Sequence, residues 1–305
     1  VTITQFPPLG SGSSSAITAQ ISQFTGNTVD AFGRLRVSQP FTLFDSQSRF
    51  AADASFSFAT ATGGTATYVT NQSAVALSVT TTSGSQVLSQ SYRVFPYQPG
   101  KSLLTLQTFS MASARTNLTQ RVGYYSAYNG AYLEQAGSQV SFVIRTYTSG
   151  SVDNSRFVTQ ANWNGDKLDG TGTSGYTLDI SKAQILFMDF EWLGVGSVRC
   201  GFIINGEYIV CHTFNNANDI SSVYMTTAIL PVRYSITTTT AAVAASMKAI
   251  CCTVISEGGY EATSIDHVAR RINATSGSTI TTSFYPIVSI RQQLRHQSRR
   301  SLKNP

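Results

Sequence analysis

The chain has 305 residues, enough for one large core or two modest ones, yet only 12% of them are charged, about half the usual share for soluble domains. Ser, Thr, Gly, Asn and Gln take their place, which suits long-lived extracellular β structure dressed in hydroxyls and amides. Of the net charge of +6, five units come from Arg291, Arg295, Arg299, Arg300 and Lys303 and only +1 from residues 1–290; no apolar run reaches the ~18 residues of a membrane-spanning helix.

Residues 1–25 contain Pro7-Pro-Leu-Gly-Ser-Gly-Ser-Ser-Ser15, a linker composition without periodicity, and are expected to form an N-terminal arm. Residues 26–50 are a separate segment. In Arg34-Leu-Arg-Val-Ser38, Leu35 and Val37 point one way while Arg34 and Arg36 point the other. Pro40 ends that ladder or confines it to an edge. From 51 to 290 strand signals recur: 66–70, 74–79, 90–95, 102–109, 121–125, 131–135, 139–147 and 185–192 alternate or are β-branched. Gly-Gly, Pro-Gly and Asn-Gly turns separate them. Helical period is nearly absent; only 181–184 and 264–272 suit short helical turns. No fixed repeat appears, which argues against a propeller or solenoid. Many short strands with frequent turns predict an all-β, antiparallel sandwich of jelly-roll type. Residues 291–305 are expected to be a basic C-terminal arm. Without interleaved aromatics, that arm suits an acidic protein neighbour better than nucleic acid.

Asn205-Gly206 lies between two apolar runs and predicts a two-residue hairpin, because both residues tolerate positive φ. Counting outward pairs Ile204 with Glu207, Ile203 with Tyr208, Phe202 with Ile209, Gly201 with Val210, Cys200 with Cys211 and Arg199 with His212. Cys200 and Cys211 would then sit opposed on a buried face, ~5.5 Å apart at Cα in a hydrogen-bonded pair. Side-chain orientation there is poor for a disulfide, so buried free thiols are expected. Cys251 and Cys252, adjacent in a strand, should face opposite ways.

No cofactor is expected: phosphate loop, dinucleotide fingerprint and zinc-ligand spacing are all missing from the sequence. Asn215-Asn-Ala-Asn-Asp219 offers oxygen ligands but too few acids for a calcium loop, and an Asx-rich turn is the simpler reading. His212, His267 and His296 accompany no nucleophile motif.

Four segments carry a resemblance to a family. They are Asp30-Ala-Phe-Gly-Arg-Leu-Arg-Val-Ser-Gln-Pro-Phe-Thr-Leu-Phe-Asp45, Phe190-Glu-Trp-Leu-Gly-Val-Gly-Ser-Val-Arg-Cys-Gly-Phe-Ile-Ile-Asn-Gly206, Val223-Tyr-Met-Thr-Thr227 and Cys252-Thr-Val-Ile-Ser-Glu-Gly-Gly259. In this order they resemble virion structural proteins of tailed phages and large DNA viruses. The resemblance implies a virion component, either a tail fibre or adhesin or a capsid-associated protein, that works by assembly and surface binding rather than catalysis. It implies other virion proteins as partners and, by analogy with fibres and capsid proteins, a homo-oligomer with a trimer favoured. Segment 26–50, with Arg34 and Arg36, would dock on neighbours together with Arg291, Arg295, Arg299 and Arg300.

A second likeness is local. Phe187-Met-Asp-Phe-Glu-Trp-Leu-Gly194 is similar to the active-site strand of laminarinase-type glycosidases, Glu-x-Asp-x-Glu before an aromatic, Leu and Gly. By position Asp189 would be the supporting aspartate and Glu191 the acid/base, but Phe187 stands where the nucleophile belongs. A retaining glycosidase needs two carboxyls ~5–5.5 Å apart, and a phenyl ring cannot attack an anomeric carbon. Phe187, Asp189 and Glu191 are therefore expected to share one strand face that meets a loop or a partner, or less readily binds glycan, with Met188, Phe190 and Trp192 turned to the core. The alternative functions are a lectin-like glycan-binding module and a degenerate glycosidase of this type.

Overall fold

Period-two alternation is borne out along the chain. The computed structural model describes residues 29–34, 39–240 and 244–261. Fifteen strands are found among them. They are β1 Phe41–Gln47, β2 Phe56–Ala61, β3 Thr65–Val69, β4 Ala74–Val79, β5 Gln86–Ser91, β6 Leu103–Ser110, β7 Leu118–Tyr125 and β8 Gly130–Ala136. The others are β9 Gln139–Thr146, β10 Asp153–Thr159, β11 Gln184–Phe190, β12 Val198–Ile204, β13 Glu207–Phe214, β14 Val232–Thr238 and β15 Ala245–Ser256. Helix is confined to two 3-10 turns, Thr70–Gln72 and Gln160–Asn162.

The strands form a β-sandwich of two antiparallel sheets. The larger runs β13-β12-β11-β6-β15-β4-β3, with β1 also paired to β15; the smaller runs β10-β9-β8-β7-β14-β5-β2. Inner-face residues of both sheets share one core, including Leu77, Phe109, Met188, Phe190 and Phe202 from the larger and Val122, Leu133, Phe142 and Ile236 from the smaller. Trp163 stacks on Phe142 at 4.7 Å between ring centres. A polar intrusion is satisfied at Tyr124, whose hydroxyl donates to the Ala228 carbonyl (2.9 Å) and accepts from the Leu230 N–H (3.1 Å). A buried hydroxyl without such partners would be destabilising.

Several expectations need correction. β1 lies inside the segment 26–50 yet is an integral strand, pairing Asp45 with Thr253 and Gln47 with Cys251. The ladder expected over 34–38, with Pro40 at its end, lies largely outside the described residues. The strand expected over 90–95 ends at Ser91, and Phe95 instead makes an isolated bridge to Leu230. Residues 181–184 do not turn helically. Asp179 caps a turn there, accepting the Ser181 N–H at 3.1 Å, and β11 begins at Gln184. Arg36, Arg291, Arg295, Arg299 and Arg300, and both proposed arms, lie outside the described residues. No helix among the described residues is long and apolar enough to cross a membrane.

The Asn205-Gly206 turn forms as expected, with φ of 51° and 84°. Ile204, Ile203, Phe202 and Gly201 pair as counted, but then the register shifts: Cys200 faces His212 and Arg199 faces Thr213. Cys211 is the extra residue of a β-bulge, so the expected Cys200–Cys211 pair is not formed. Carbonyls freed by the bulge turn to an outside segment: Gly165 N–H donates to the Cys211 carbonyl (2.8 Å) and Asp166 N–H to that of Val210 (3.0 Å). Both thiols are nonetheless free and fully buried. Cys252 faces the core and Cys251 does not, as adjacent strand residues must.

Candidate functional site

The Phe187–Asp189–Glu191 strand is a structural centre, not an open surface. Phe187 and Asp189 leave β11 on the face away from the core, while Met188 and Phe190 are buried within it. Phe187 is only 2% exposed. Its ring lies over Gly201 on β12 and packs on Tyr208 at 5.2 Å. A Cβ at residue 201 would stand 2.7 Å from that ring and 2.0 Å from the Ile209 carbonyl oxygen, so only glycine fits beneath Phe187. The aromatic that removes the nucleophile thus has a packing role.

Asp189 is fully buried. It pairs directly across the sheet with Arg199, and Arg199 Nη2 donates to its Oδ2. Ser102 Oγ donates to its other oxygen. A carboxylate buried and engaged in this way is closed to a sugar in solvent. Glu191 lies just beyond the end of β11, half-buried, and accepts from Ser197 Oγ at 3.0 Å. It shapes the β11–β12 loop. The expected face therefore holds Phe187 and Asp189 together but offers neither to solvent.

From Asp189 outward, contacts tie the four resemblance-bearing segments to one another. Arg199 Nη2 also donates to the Val29 carbonyl (2.6 Å), immediately before the Asp30 turn. Within that turn Asp30 Oδ1 accepts the Phe32 and Arg34 N–H groups, each at 3.0 Å, and its Oδ2 pairs with the Arg34 guanidinium at 2.5 Å. Arg34 Nη1 then reaches the Gly100 carbonyl (2.6 Å), so this expected docking arginine is tied to its own sandwich. Glu257 N–H donates to the Ser102 carbonyl (2.9 Å). Trp192 Nε1 donates to the Met225 carbonyl (3.3 Å), and Tyr224 N–H to that of Gly194 (2.9 Å). The Asn-rich run contributes here as a turn. Asn216 donates to the Gly196 carbonyl and accepts from Arg156 Nη1 at 2.6 Å.

The outer face of the smaller sheet is different. Strand order brings Arg121 and Tyr125 on β7, Tyr132 and Glu134 on β8, Arg145 on β9 and Arg233 on β14 to one side. Tyr125 and Tyr132 lie 4.7 Å apart between ring centres and are 2% and 1% exposed. Guanidiniums roof them. Arg145 stands 5.5 Å from Tyr125 and 5.2 Å from Tyr132, Arg233 5.1 Å from Tyr125, and Arg121 5.5 Å from Tyr132. These are cation–π distances.

Among the described residues only Arg121 has a carboxylate there, Glu134 at 2.6 Å. Arg145 spends its donors on neutral oxygens: Asn154 Oδ1 (2.9 Å), the Ser126 carbonyl (3.2 Å) and the Tyr132 hydroxyl (3.4 Å). Arg233 donates from Nε to Gln90 Oε1 at 2.9 Å. Burial holds the Arg233 guanidinium below its usual pKa; Tyr125 opposes that shift and Arg145 adds to it. The sequence reading missed this face. Its residues, Arg121 and Tyr125, Tyr132 and Glu134, and Arg145, are visible locally at even spacing within their strands, but the strand order that joins them is not.

No protein-family model matches the chain, and no curated protein matches it. Similar solved structures include a protein of unknown function from Shewanella oneidensis MR-1, at 12% identity over 77% of this chain and 93% of that one, with a TM-score of 0.45. The carbohydrate recognition domain of Emp47p is 11% identical over 67% of this chain and 90% of its own, with a TM-score of 0.39. A structure from work on endo-acting O-glycanases of human gut microbiota is 11% identical over 70% and 99%, with a TM-score of 0.47. These likenesses are remote, and the functional reading rests on the residues of this chain.

Proposed function

We propose that the chain is a structural component of a virus particle, a tail-fibre or adhesin protein or a capsid-associated one, that acts by assembly and surface binding. The observation that carries this reading is the set of contacts between the four resemblance-bearing segments. Trp192 and Tyr224 join 190–206 to 223–227, Arg199 holds the Val29 carbonyl beside the Asp30 turn, and Ser102 links Asp189 to Glu257. These contacts support the reading. Homo-oligomerisation, with a trimer favoured, belongs to the same proposal.

Binding is favoured over catalysis because the glycosidase-like strand has a buried phenyl ring at the nucleophile position and a salt-bridged aspartate beside it. Incubation with laminarin should release no reducing sugar above buffer; release that disappears in Glu191→Gln would overturn the non-catalytic reading. Particle location is tested by immunogold labelling of purified particles of the virus that encodes the chain. Gold at a fixed tail or capsid position is expected, and particles without the chain would refute the proposal. A lectin-like reading has one specific observation in its favour, the arginine-roofed face of the smaller sheet.

A further inference from the structure

We infer that the outer face of the smaller sheet binds a carboxylate-bearing polysaccharide, with Arg145 and Arg233 as its anion-binding groups and exposed aromatic rings at its rim as its sugar-stacking groups. The inference deepens the surface-binding part of the proposed function and rests on it for biological setting alone.

The first observation is charge. Arg121, Arg145 and Arg233 converge on one tyrosine pair, and Glu134 neutralises only Arg121. Arg145 and Arg233 are held in place by neutral acceptors, which orient a guanidinium without cancelling its charge. Packing like charges over a buried floor is unfavourable by itself. An incoming carboxylate reverses the sign of that interaction, and the planar fork of arginine matches its two oxygens. Because the arginines are already stacked and hydrogen-bonded, little side-chain freedom is lost on binding.

The second observation is the rim. Phe157 on β10 is 51% exposed and in register with Val143, itself in register with Tyr132. It therefore shares the arginine face. Tyr128, 55% exposed in the turn after β7, packs edge-on to Tyr147 at 4.8 Å. The same turn supplies the Ser126 carbonyl that Arg145 grips. Rings beside fixed guanidiniums suit a sugar acid, which presents an apolar C–H face and a carboxylate on one residue. A nucleic acid needs a longer track of cations, since its affinity comes from releasing many counterions. Two unneutralised arginines make a short one.

The test is binding of the full chain to immobilised polygalacturonate, with neutral dextran, oligo-dT and poly-glutamate as comparators. Polygalacturonate should bind, dextran should not, and affinity should fall as salt rises from about 50 to about 300 mM. Arg233→Gln should weaken binding about tenfold, the size of one charge-assisted hydrogen bond. Phe157→Ala should weaken it about threefold or more while leaving the salt dependence unchanged. Arg145→Gln is expected to act like Arg233→Gln; should that buried change impair folding, the half-exposed Arg233 and exposed Phe157 variants decide. No binding to polygalacturonate, or binding indifferent to Arg233→Gln, overturns the inference. Equal binding of oligo-dT or poly-glutamate overturns the glycan assignment. Each of these failures leaves the particle location untouched, because immunogold labelling does not depend on a sugar.

Discussion

The two outer sheet faces treat charge in opposite ways. On the larger sheet, one aspartate meets one arginine directly across the strands and a serine completes the carboxylate. On the smaller sheet, three arginines share one glutamate and lean on tyrosine rings instead. Balanced charge taken out of water locks architecture, because either partner alone would be costly. Unbalanced charge held by neutral partners, with Arg145 buried and Arg233 partly exposed, is poised for an external anion. The face with the enzyme-like motif is thus the structural one, and the face without a motif is the one arranged to bind.

The largest effect should come from unbalancing the balanced face. Asp189 is buried completely and the Arg199 side chain is 12% exposed. Arg199→Leu strands a buried carboxylate and releases the Val29 carbonyl, and should cost about 3–5 kcal/mol in chemical denaturation. Adding Asp189→Leu removes the orphaned charge and should recover part of the loss. A double variant worse than Arg199→Leu would show that the pair is not coupled as described.

How much of this was legible in sequence depends on distance along the chain. The Asn205-Gly206 hairpin was legible down to its first four pairs, since turn chemistry and alternation are local. Its fifth pair was not, because the bulge at Cys211 is fixed by Gly165 and Asp166, forty-odd residues away. The face of Phe187 was legible from period two, but its burial depended on Gly201 and Tyr208 arriving from other strands. β14 was not among the expected strands, although Val232-Arg-Tyr-Ser-Ile alternates. Without it Arg233 had no place beside Tyr125.

A smaller effect probes whether the larger sheet admits a new charge at all. His212, opposite Cys200 in the bulge, accepts the Asn164 N–H at Nδ1 (3.2 Å) and meets Phe214 edge-on at 4.5 Å. Burial lowers its pKa to about 4. The unfolded value is near 6.5. A folded pKa below the unfolded one means that the unfolded chain takes up the proton first. Stability from the neutral ring is therefore complete above pH ~6.5 and declines as pH falls toward ~4. The decline should not exceed about 3 kcal/mol. His212→Asn keeps an acceptor but cannot titrate, so its stability should be flatter than wild type across this window. Parallel pH profiles would remove His212 from the account. The lowered carboxyls of Asp53 and Asp166 act at still lower pH, with stability again lost as pH falls through their folded values.

Next come the thiols inside the same sheet. Burial pushes the Cys200 and Cys211 thiols up, away from the reactive thiolate. Alkylating reagent should leave both unmodified until the protein unfolds. Cys200→Ser should cost about 1–3 kcal/mol, because it places a hydroxyl where a small apolar group sat. Rapid labelling of either residue in the folded chain would show that the bulge opens.

The smallest effect is the sharpest contrast with Arg199. Arg233 also lies on a sheet face, also stacks and also donates hydrogen bonds, so a contact list alone would rank the two arginines alike. They differ in what is left behind. Removing Arg199 leaves a buried carboxylate; removing Arg233 leaves the neutral Gln90 amide and the Tyr125 ring, and it relieves repulsion with Arg145. Loss of one cation–π contact, about 0.5–1 kcal/mol at such a site, is opposed by that relief. Arg233→Gln should therefore shift the denaturation free energy by less than about 1 kcal/mol, as surface substitutions usually do. Combined with weakened polygalacturonate binding, a near-silent stability change would assign Arg233 to an external ligand. A loss above about 2 kcal/mol would place it with Arg199 among the residues that hold the fold, and the contrast between the two faces would fail.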